Sequence, residues 1–326
     1  MMKKTMKKIL MAGLVFALVC LCAVGCGKKE ESTTIRVGGM KGPTSMGLMF
    51  LQEKDANGQA LEDYEFRMVT AADELLPLMI KGEMDIALVP ANVAAILYQK
   101  TEGQVSVIDI NTLGVLYMVS GDAGIQSVND LKGKTIYLTG KGTTPDYVLN
   151  YILSANNMLE DVKLEYKSEA TEVAAVLAED PTQIAVLPQP FVTVACAQNE
   201  AIAPVFALED EWQTLTDGLG MVTGVTIVRN DFLKEHPAAV STFISEHQAS
   251  VNAANSDLDT TAALVVANDI IGKEPIAKKA IPSCNIVCIT GDSLKTNLSA
   301  YLEVLYNYEP KSVGGKLPGD EFYFKG

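Results

Sequence analysis

The protein is a chain of 326 residues with 26 basic and 40 acidic residues, and its formal net charge at pH 7 is −14. A surface this acidic argues against binding to nucleic acid and against electrostatic docking on anionic lipid. The length suits about two domains of ~150 residues each.

The first 25 residues have the form of a secretory signal. Four lysines within residues 3–8 precede an unbroken apolar run from Ile9 to Val24. This run is 16 residues long, shorter than the ~20 residues that a helix needs to span a bilayer. We therefore predict that residues 1–25 are a signal peptide that is removed, which leaves the mature chain with a net charge of −18.

Residues Ala23 to Cys26 resemble a bacterial lipobox, in which the cysteine becomes the lipid-modified first residue of the mature protein. Acyl chains on Cys26 would anchor the protein stably, because each buried methylene contributes about 0.8 kcal/mol. Residues 26–34 are predicted to be a lipidated polar tether. The expected location is outside the cytoplasm, on the outer face of the cytoplasmic membrane or in a periplasm.

The mature chain repeats its own plan. TIRVGGMKGPT at 34–44 corresponds to TIYLTGKGTTP at 135–145. LEDYEFRMVTAADELLPLM at 61–79 corresponds to LEDVKLEYKSEATEVAAVL at 159–177, and DIALVPANVAA at 85–95 corresponds to QIAVLPQPFVTVA at 183–195. The last two pairs have the same offset of 98 residues. Strands that alternate with helices in this way predict parallel sheets with helices on both faces.

We therefore predict an α/β fold of two similar lobes, each a mostly parallel sheet with helices on both faces. Lobe 1 would comprise residues 35–120 and 221–326, and lobe 2 residues 121–220. The helices after Asp231 need a sheet to cover and are assigned to lobe 1. The chain would leave lobe 1 near Gly121 and return near Met221.

Several strings are typical of enzymes but lack the residues that complete them. GDSL at 291–294 matches a lipase and esterase motif, but no histidine follows it, so Asp292 or Ser293 is better interpreted as a helix cap. Hydrolysis through Ser293 stays the alternative. The string TGKGTT at 139–144 does not complete a P-loop.

The metal-binding residue types are sparse. The two histidines, His236 and His247, are 11 residues apart in one predicted helix, or about 16 Å, which is too far to share a metal. We interpret both as surface residues. Cys196, Cys284 and Cys288 are interpreted as free thiols, the last two as packing residues. No metal site, catalytic residue or cofactor is predicted.

Four loops at the carboxyl ends of predicted strands, two from each lobe, begin helices and form the predicted ligand crevice. Helix starts carry unsatisfied N–H groups and a partial positive charge, so they can hold an anion. None of these loops contains an arginine. An anion would therefore meet backbone N–H groups, hydroxyl groups, and Lys41 or Lys141. Ordinary helix capping explains any single one of these residues equally well.

The segments SVNDLKGKTIYLTGKGTTPDYVLNYIL, DIALVPANVAA and GVTIVRNDFLKEHPAAVSTFI resemble substrate-binding proteins of ABC importers of the nitrate, sulfonate, taurine and thiamine-precursor type. The resemblance implies a periplasmic-binding-protein type II-like fold, in which two β-strand hinges join two lobes that close on a ligand. It implies a non-enzymatic, monomeric binder of a small organic solute, with an anion such as a sulfonate or carboxylate favoured.

The partners that the resemblance implies are an ABC permease and its cytoplasmic ATPase, with the membrane reached through the lipid anchor. A ligand sensor for a membrane receptor is a further alternative. The implied ligand-binding residues are Met40, Lys41, Gly42, Thr44, Ser45, Pro90, Ala91, Asn92, Gly140, Lys141, Thr143, Thr144, Gln189 and Phe191.

Overall fold

The computed structural model describes residues 33–326. The predicted signal peptide, Cys26 and nearly all of the predicted tether lie outside the described residues. Within the described range, no helix combines the length and the apolar character needed to cross a membrane.

The described residues form strands and helices in alternation over the first two thirds of the chain and mainly helices thereafter. The strands are β1 (Thr34–Met40), β2 (Asp63–Val69), β3 (Ile86–Pro90), β4 (Val105–Leu113), β5 (Leu116–Ser120), β6 (Thr135–Leu138), β7 (Lys163–Tyr166), β8 (Ile184–Pro188), β9 (Ala203–Ala207), β10 (Val222–Arg229) and β11 (Ile286–Ile289). The helices are α1 (Pro43–Met46), α2 (Met49–Ala56), α3 (Ala72–Ile80), α4 (Ala91–Lys100), α5 (Thr144–Ala155), α6 (Ala170–Glu179), α7 (Phe191–Gln198), α8 (Leu208–Leu215), α9 (Asn230–Glu235), α10 (Pro237–Ser256), α11 (Leu258–Ala267), α12 (Glu274–Ala280) and α13 (Gly291–Tyr308).

The first sheet has six strands in the order β11-β4-β10-β3-β1-β2. β1 runs parallel to β2 and β3, with Val37 opposite both Phe66 and Ile86. β10 runs antiparallel to β3 and to β4, so four of the six strands share one direction. The apolar run Ile86–Val89 is fully buried in β3, as expected for a central strand with helices on both faces.

The second sheet has five strands in the order β7-β6-β8-β5-β9 and repeats this pattern. β6 runs parallel to β7 and β8, and β5 runs antiparallel to β8 and β9. In the first sheet, the antiparallel strand β10 lies beside β3, and in the second sheet the antiparallel strand β5 lies beside β8. The prediction of two similar α/β lobes with mostly parallel sheets is confirmed.

The chain crosses between the sheets twice, once between β4 and β5 and once between α8 and β10. The first crossing contains Gly114 and Val115, which precede the predicted exit near Gly121. The strand Leu116–Ser120, which the predicted boundary placed in lobe 1, pairs with β8 and β9 of the five-stranded sheet. The lobe boundaries at 120/121 and 220/221 stay a prediction.

Helix α13 connects the two halves on one side of the molecule. Its Tyr301 ring lies 5.2 Å from that of Trp212 in α8, and the Trp212 ring lies 5.0 Å from that of Tyr151 in α5. One hydrophobic core contains buried side chains from both sheets, including Val89 and Leu138. The helix that the sequence assigned to lobe 1 therefore also packs on helices that flank the second sheet.

Candidate ligand-binding site

The loop between β3 and α4 meets the loop between β6 and α5. Asn92 is fully buried at the start of α4. Its Nδ2 donates to the carbonyl oxygens of Gly142, at 3.3 Å, and Ser312, at 3.2 Å. Its Oδ1 accepts from the Thr144 hydroxyl at 3.4 Å. The structure thus brings together predicted site residues from the two sheets.

Pro90 and Ala91 position Asn92. Pro90 ends β3 opposite Gly224 of β10, and it occupies the N-cap position of α4. Ala91 is fully buried. The N-cap of α4 has no side-chain hydrogen bond and its first turn has no acidic residue, so the first N–H groups of the helix keep their partial positive charge.

In the glycine loop before α5, the predicted residues divide between two roles. Gly140 has a positive φ of 74°, which glycine tolerates, and accepts at its carbonyl oxygen from the Thr143 hydroxyl at 2.6 Å. Thr143 therefore closes the turn, whereas Thr144 points toward Asn92. The Lys141 ammonium is exposed and lies 5.3 Å from the centre of the Tyr166 ring.

Asp146 holds this loop through a hydrogen bond to its backbone, a role that was not predicted from the sequence. Its carboxylate accepts from Gly142 N at 2.7 Å, from the Tyr166 hydroxyl at 2.6 Å and from Asn150 Nδ2 at 2.6 Å. Burial and the hydrogen bond to Asp146 raise the pKa of Tyr166 above its ordinary value. Because Asp146 lies in the first turn of α5, it already places a negative charge at that helix start.

The loop after β1 leads into α1, where Thr44 and Ser45 are buried. A methyl group at Gly224 of β10 would lie only 2.6 Å from Thr44 Cγ2, so Thr44 packs directly on that strand. The Ser45 hydroxyl has no hydrogen-bond partner among the described residues. Gly42 occupies the N-cap position of α1, with no neighbour near the place of a side chain.

The two remaining residues of this loop lie at its edge. Met40 is half-buried at the end of β1, opposite Val69 of β2. Lys41 is exposed, and its ammonium lies 4.0 Å from Asp269 Oδ2. Lys41 thus faces another surface loop rather than the loops of the second sheet.

The loop after β8 places Gln189 and Phe191 beside the second half of the site. Gln189 is buried, its N–H donates to Val115 O at 2.9 Å, and its Oε1 accepts from the Thr193 hydroxyl at 2.9 Å. The Gln189 side chain therefore bonds within its own helix start. Phe191 is half-buried and packs against the core behind β5 and β8.

A buried polar network below α1 was not predicted from the sequence. The Thr226 hydroxyl donates to Asp109 Oδ1 at 2.8 Å and accepts from Asn111 Nδ2 at 3.2 Å, and the Thr112 hydroxyl donates to Asn111 Oδ1 at 3.0 Å. A methyl group at Gly224 would also collide with Asn111 Oδ1. Asn111 and Thr44 therefore both lie against Gly224, which is opposite Pro90 at the floor of the candidate site. The signal was a set of polar residues inside the otherwise apolar run VSVIDINTL.

The same network contradicts the interpretation of His247 as a surface residue. His247 is fully buried in α10, and its Nδ1 lies 3.1 Å from Asp109 Oδ2. Its position follows from helical spacing, because His247 lies one turn after buried Phe243 and one turn before buried Val251. His236 is half-buried at the N-cap of the same helix.

A half-buried carboxylate lies where the two connections between the sheets meet. Glu209, in the first turn of α8, accepts from Met221 N at 3.1 Å and from Gln213 Nε2 at 2.7 Å, and packs against Gly114. Burial raises the pKa of Glu209, against the hydrogen bonds from Met221 and Gln213, which lower it. Glu209 thus connects both crossings.

The polar residues of the GDSL string lie at the surface of the molecule, at the start of α13. Ser293 is exposed in the first turn of α13, and its carbonyl oxygen accepts from Asn297. The prediction that Asp292 or Ser293 caps this helix is wrong, because the N-cap position is Thr290 and no side chain caps the helix there.

Two surface cavities of the described residues lie away from the four loops. One of about 360 Å³ is lined by Lys167, Glu172, Ala175, Val176 and Glu179. The other, of about 250 Å³, is lined by Ile108, Ser241, Ile244, Thr290, Gly291, Phe324, Lys325 and Gly326. The candidate site is therefore defined by the contacts between loops of the two sheets.

The family model described as menaquinone biosynthesis matches residues 48–280, more than two thirds of the chain. No protein with a curated description is significantly similar in sequence.

Similar solved structures include binding components of ABC importers. An ABC transporter structure from Parabacteroides distasonis is 26% identical, with a TM-score of 0.75, and the match covers 90% of this chain and 99% of that chain. The periplasmic aliphatic sulphonate binding protein SsuA from Escherichia coli is 14% identical, with a TM-score of 0.68, over 87% of this chain and 94% of that one. The alkanesulfonate-binding protein SsuA from Xanthomonas axonopodis pv. citri, bound to MOPS, is 14% identical, with a TM-score of 0.66, over 88% and 94%.

Proposed function

The chain belongs to the menaquinone biosynthesis family, and because its fold is similar to those of solved ABC-importer binding proteins, we propose that it is an extracytoplasmic solute-binding protein of an ABC importer. It captures a small organic solute between two lobes, one built on the six-stranded sheet and the other on the five-stranded sheet. The observation that carries the proposal is the contact of Asn92 with Gly142 and Thr144, which joins ligand-loop positions of the two sheets. A solute that contacts both loops would stabilise the closed arrangement of the lobes.

The electrostatics of the helix starts support an anionic group on the solute. The start of α4 has neither a side-chain cap nor an acidic residue in the first turn. The start of α7 has no acidic residue in its first turn, and Gln189 Oε1 accepts there from Thr193 N at 3.4 Å. Asp146 occupies the first turn of α5 and disfavours an anion there. We place the anionic group, a sulfonate or a carboxylate, at the starts of α4 and α7, with Lys141 at the rim.

Transport gives the site its context. Lipid attached to Cys26 would hold the protein, as a monomer, on the outer face of the cytoplasmic membrane, where the loaded form would dock on an ABC permease driven by a cytoplasmic ATPase. Replacement of Cys26 by alanine should release the protein from membranes without changing solute binding. The similarity to an ABC transporter structure over 99% of that chain supports this context.

Thermal melting of the purified protein against alkanesulfonates, taurine, MOPS, carboxylates, nitrate and pyrimidines tests the proposal. A solute at 100 times its dissociation constant should stabilise the folded state by about 2.7 kcal/mol. Absence of a shift with every compound, together with ester hydrolysis that is lost in Ser293→Ala, would favour the hydrolase alternative. A response only in the presence of a membrane receptor would favour the ligand sensor.

The family description supports a second candidate, an enzyme of menaquinone biosynthesis. The ionisable side chains at the four loops are Lys41, Lys141 and Asp146, and Asp146 already accepts from Gly142 N, so proton transfer by a free side chain of these loops would need one of the lysines. Mass spectrometry of a bound carboxylate after prolonged incubation separates the candidates. An unchanged ligand supports a binding protein, whereas product that disappears in Lys141→Gln or Lys41→Gln supports an enzyme.

A further inference from the structure

Three residues far apart in the sequence meet inside the six-stranded half of the protein. They are Asp109 in β4, His247 in α10 and Cys288 in β11. One carboxylate oxygen, one ring nitrogen and the sulfur lie within 4.8 Å of one another. Asp109 and His247 are fully buried, and Cys288 is half-buried on the edge strand of the sheet.

The spacing of the Asp109 and His247 atoms is close to that of two ligands on one tetrahedral metal ion. His247 Nδ1 and Asp109 Oδ2 are 3.1 Å apart. Two ligands at ~2.1 Å from a tetrahedral zinc ion lie about 3.4 Å apart, so a small side-chain shift would suffice. Cys288 offers the sulfur ligand from the neighbouring strand.

The surroundings hold these side chains in place. Asp109 Oδ1 accepts from the Thr226 hydroxyl at 2.8 Å, which leaves Oδ2 directed at His247. The Phe243 ring stacks on the His247 ring, with the ring centres 5.6 Å apart and an interplanar angle of 25°. Hydrogen-bonded outer residues of this kind orient metal ligands in proteins.

The charge of the cluster favours a divalent cation. Within residues 33–326, no lysine or arginine forms an ion pair with Asp109, whose Oδ2 faces the His247 ring instead. A divalent cation bound by one carboxylate, one thiolate and one neutral imidazole gives a site with no net charge. Such a site can be buried at a lower cost than an isolated carboxylate.

The geometry points to a binding site for a zinc-class divalent cation formed by Asp109, His247 and Cys288. The thiolate and imidazole ligands select Zn²⁺ or Co²⁺ over Mg²⁺ and Ca²⁺, which prefer oxygen ligands. Three protein ligands leave a fourth position for water. The bound ion braces β4 and β11 against α10, directly behind Asn111 and Thr226 at the floor of the candidate ligand site. This site does not depend on the proposed function.

The test uses the full mature chain, freed of metal by a chelator and titrated with Co²⁺. We expect one equivalent of Co²⁺ to produce the near-ultraviolet thiolate charge-transfer band and the visible bands of tetrahedral Co²⁺, and Zn²⁺ to displace it. The charge-transfer band should be lost in Cys288→Ser and kept in the matched variants Cys284→Ser and Cys196→Ser. Thr226→Val should weaken Co²⁺ binding by about 10- to 100-fold.

Alkylation of the unmodified protein, read out cysteine by cysteine by mass spectrometry, keeps the test decisive if Cys288→Ser does not fold. Zn²⁺ should protect Cys288 and leave Cys196 as reactive as before. The inference is overturned if Co²⁺ gives no charge-transfer band, if a band persists in folded Cys288→Ser, or if Zn²⁺ leaves the reactivity of Cys288 unchanged. In each of these cases Asp109 and His247 form a hydrogen-bonded pair alone.

Discussion

The buried amide of Asn92 accepts a hydrogen bond from the hydroxyl of Thr144 at 3.4 Å, and this contact joins the loop after β3 to the loop before α5. The same amide donates to Gly142 O. These residues belong to loops of different sheets, so their contact changes whenever the two halves of the molecule move apart.

Asn92→Ala should weaken solute binding and destabilise the protein. The substitution removes the Nδ2 group that donates to the carbonyl oxygens of Gly142 and Ser312. Each buried acceptor left without a donor lowers the free energy of unfolding by about 1–3 kcal/mol. Calorimetric titration and chemical denaturation measure the two effects. Asn297→Ala, which removes a hydrogen bond from Asn297 Nδ2 on the outer side of α13, is the matched control and should change neither. Equal losses in both variants would contradict this account.

Thr144→Ala and Thr143→Ala should differ, although the sequence analysis placed both residues in the ligand site. Thr144 is buried and bonds to Asn92, whereas the Thr143 hydroxyl bonds to Gly140 in its own turn. We expect Thr144→Ala to weaken solute binding by about tenfold, the equivalent of a hydrogen bond of ~1.4 kcal/mol, and Thr144→Ser to restore it. If affinity is the same in all three variants, the loop has only a capping role.

Gly224→Ala should weaken solute binding and destabilise the fold, whereas Gly42→Ala should do neither. A methyl group at Gly224 would collide with Asn111 and Thr44, and overpacking of this kind costs about 1–3 kcal/mol. Gly42 has no neighbouring atom within 4 Å of that position. Thermal melting with and without solute compares the two variants. A Gly224→Ala protein that melts and binds as the parent does would show that α1 does not pack on β10 in solution.

Glu209→Gln should change how stability depends on pH. Burial raises the pKa of Glu209 above its ordinary value, so its contribution to stability is present in full below the ordinary pKa of about 4.3 and is lost as the pH rises through the raised pKa. The free energy of unfolding of Glu209→Gln, relative to the parent, should therefore increase from acidic to neutral pH. Urea denaturation across this range measures the difference.

A second variant checks the cause of this effect. Gln213 donates to Glu209, and this hydrogen bond lowers the pKa of the carboxyl. Gln213→Ala should therefore move the loss of stability to a higher pH. A pH-independent difference between Glu209→Gln and the parent would show that Glu209 is solvated in solution.

The sequence predicted the repeated strand and helix order because each unit of the repeat has its own hydrophobic periodicity. IALV and IAVL predicted β3 and β8, and the proline after each one predicted the start of a helix. The antiparallel strands β5 and β10 could not be placed in a sheet in the same way. Their partner strands lie in the other half of the chain. A buried apolar strand has the same sequence pattern in either sheet, so the pattern does not identify its partner.

For a similar reason, the sequence predicted only part of the candidate site. Cap signals identified Asn92 and Thr144, but their contact depends on how two loops about 50 residues apart are arranged, which no local pattern encodes. The burial of Asp109 and His247 was not predicted, because polar side chains were expected at the surface even where their neighbours in the strand or helix are apolar. Helical spacing from Phe243 already placed His247 on the buried face of α10.

Hydrogen–deuterium exchange with a stabilising solute from the panel tests whether the solute is held between the two lobes. We expect slower exchange at loops of both sheets, residues 90–92 and 140–144, together with 40–45 and 189–191, and no comparable change around Ser293. Slower exchange confined to the loops of one sheet, or centred on residues 291–294, would contradict the proposal that the solute is held between the two lobes.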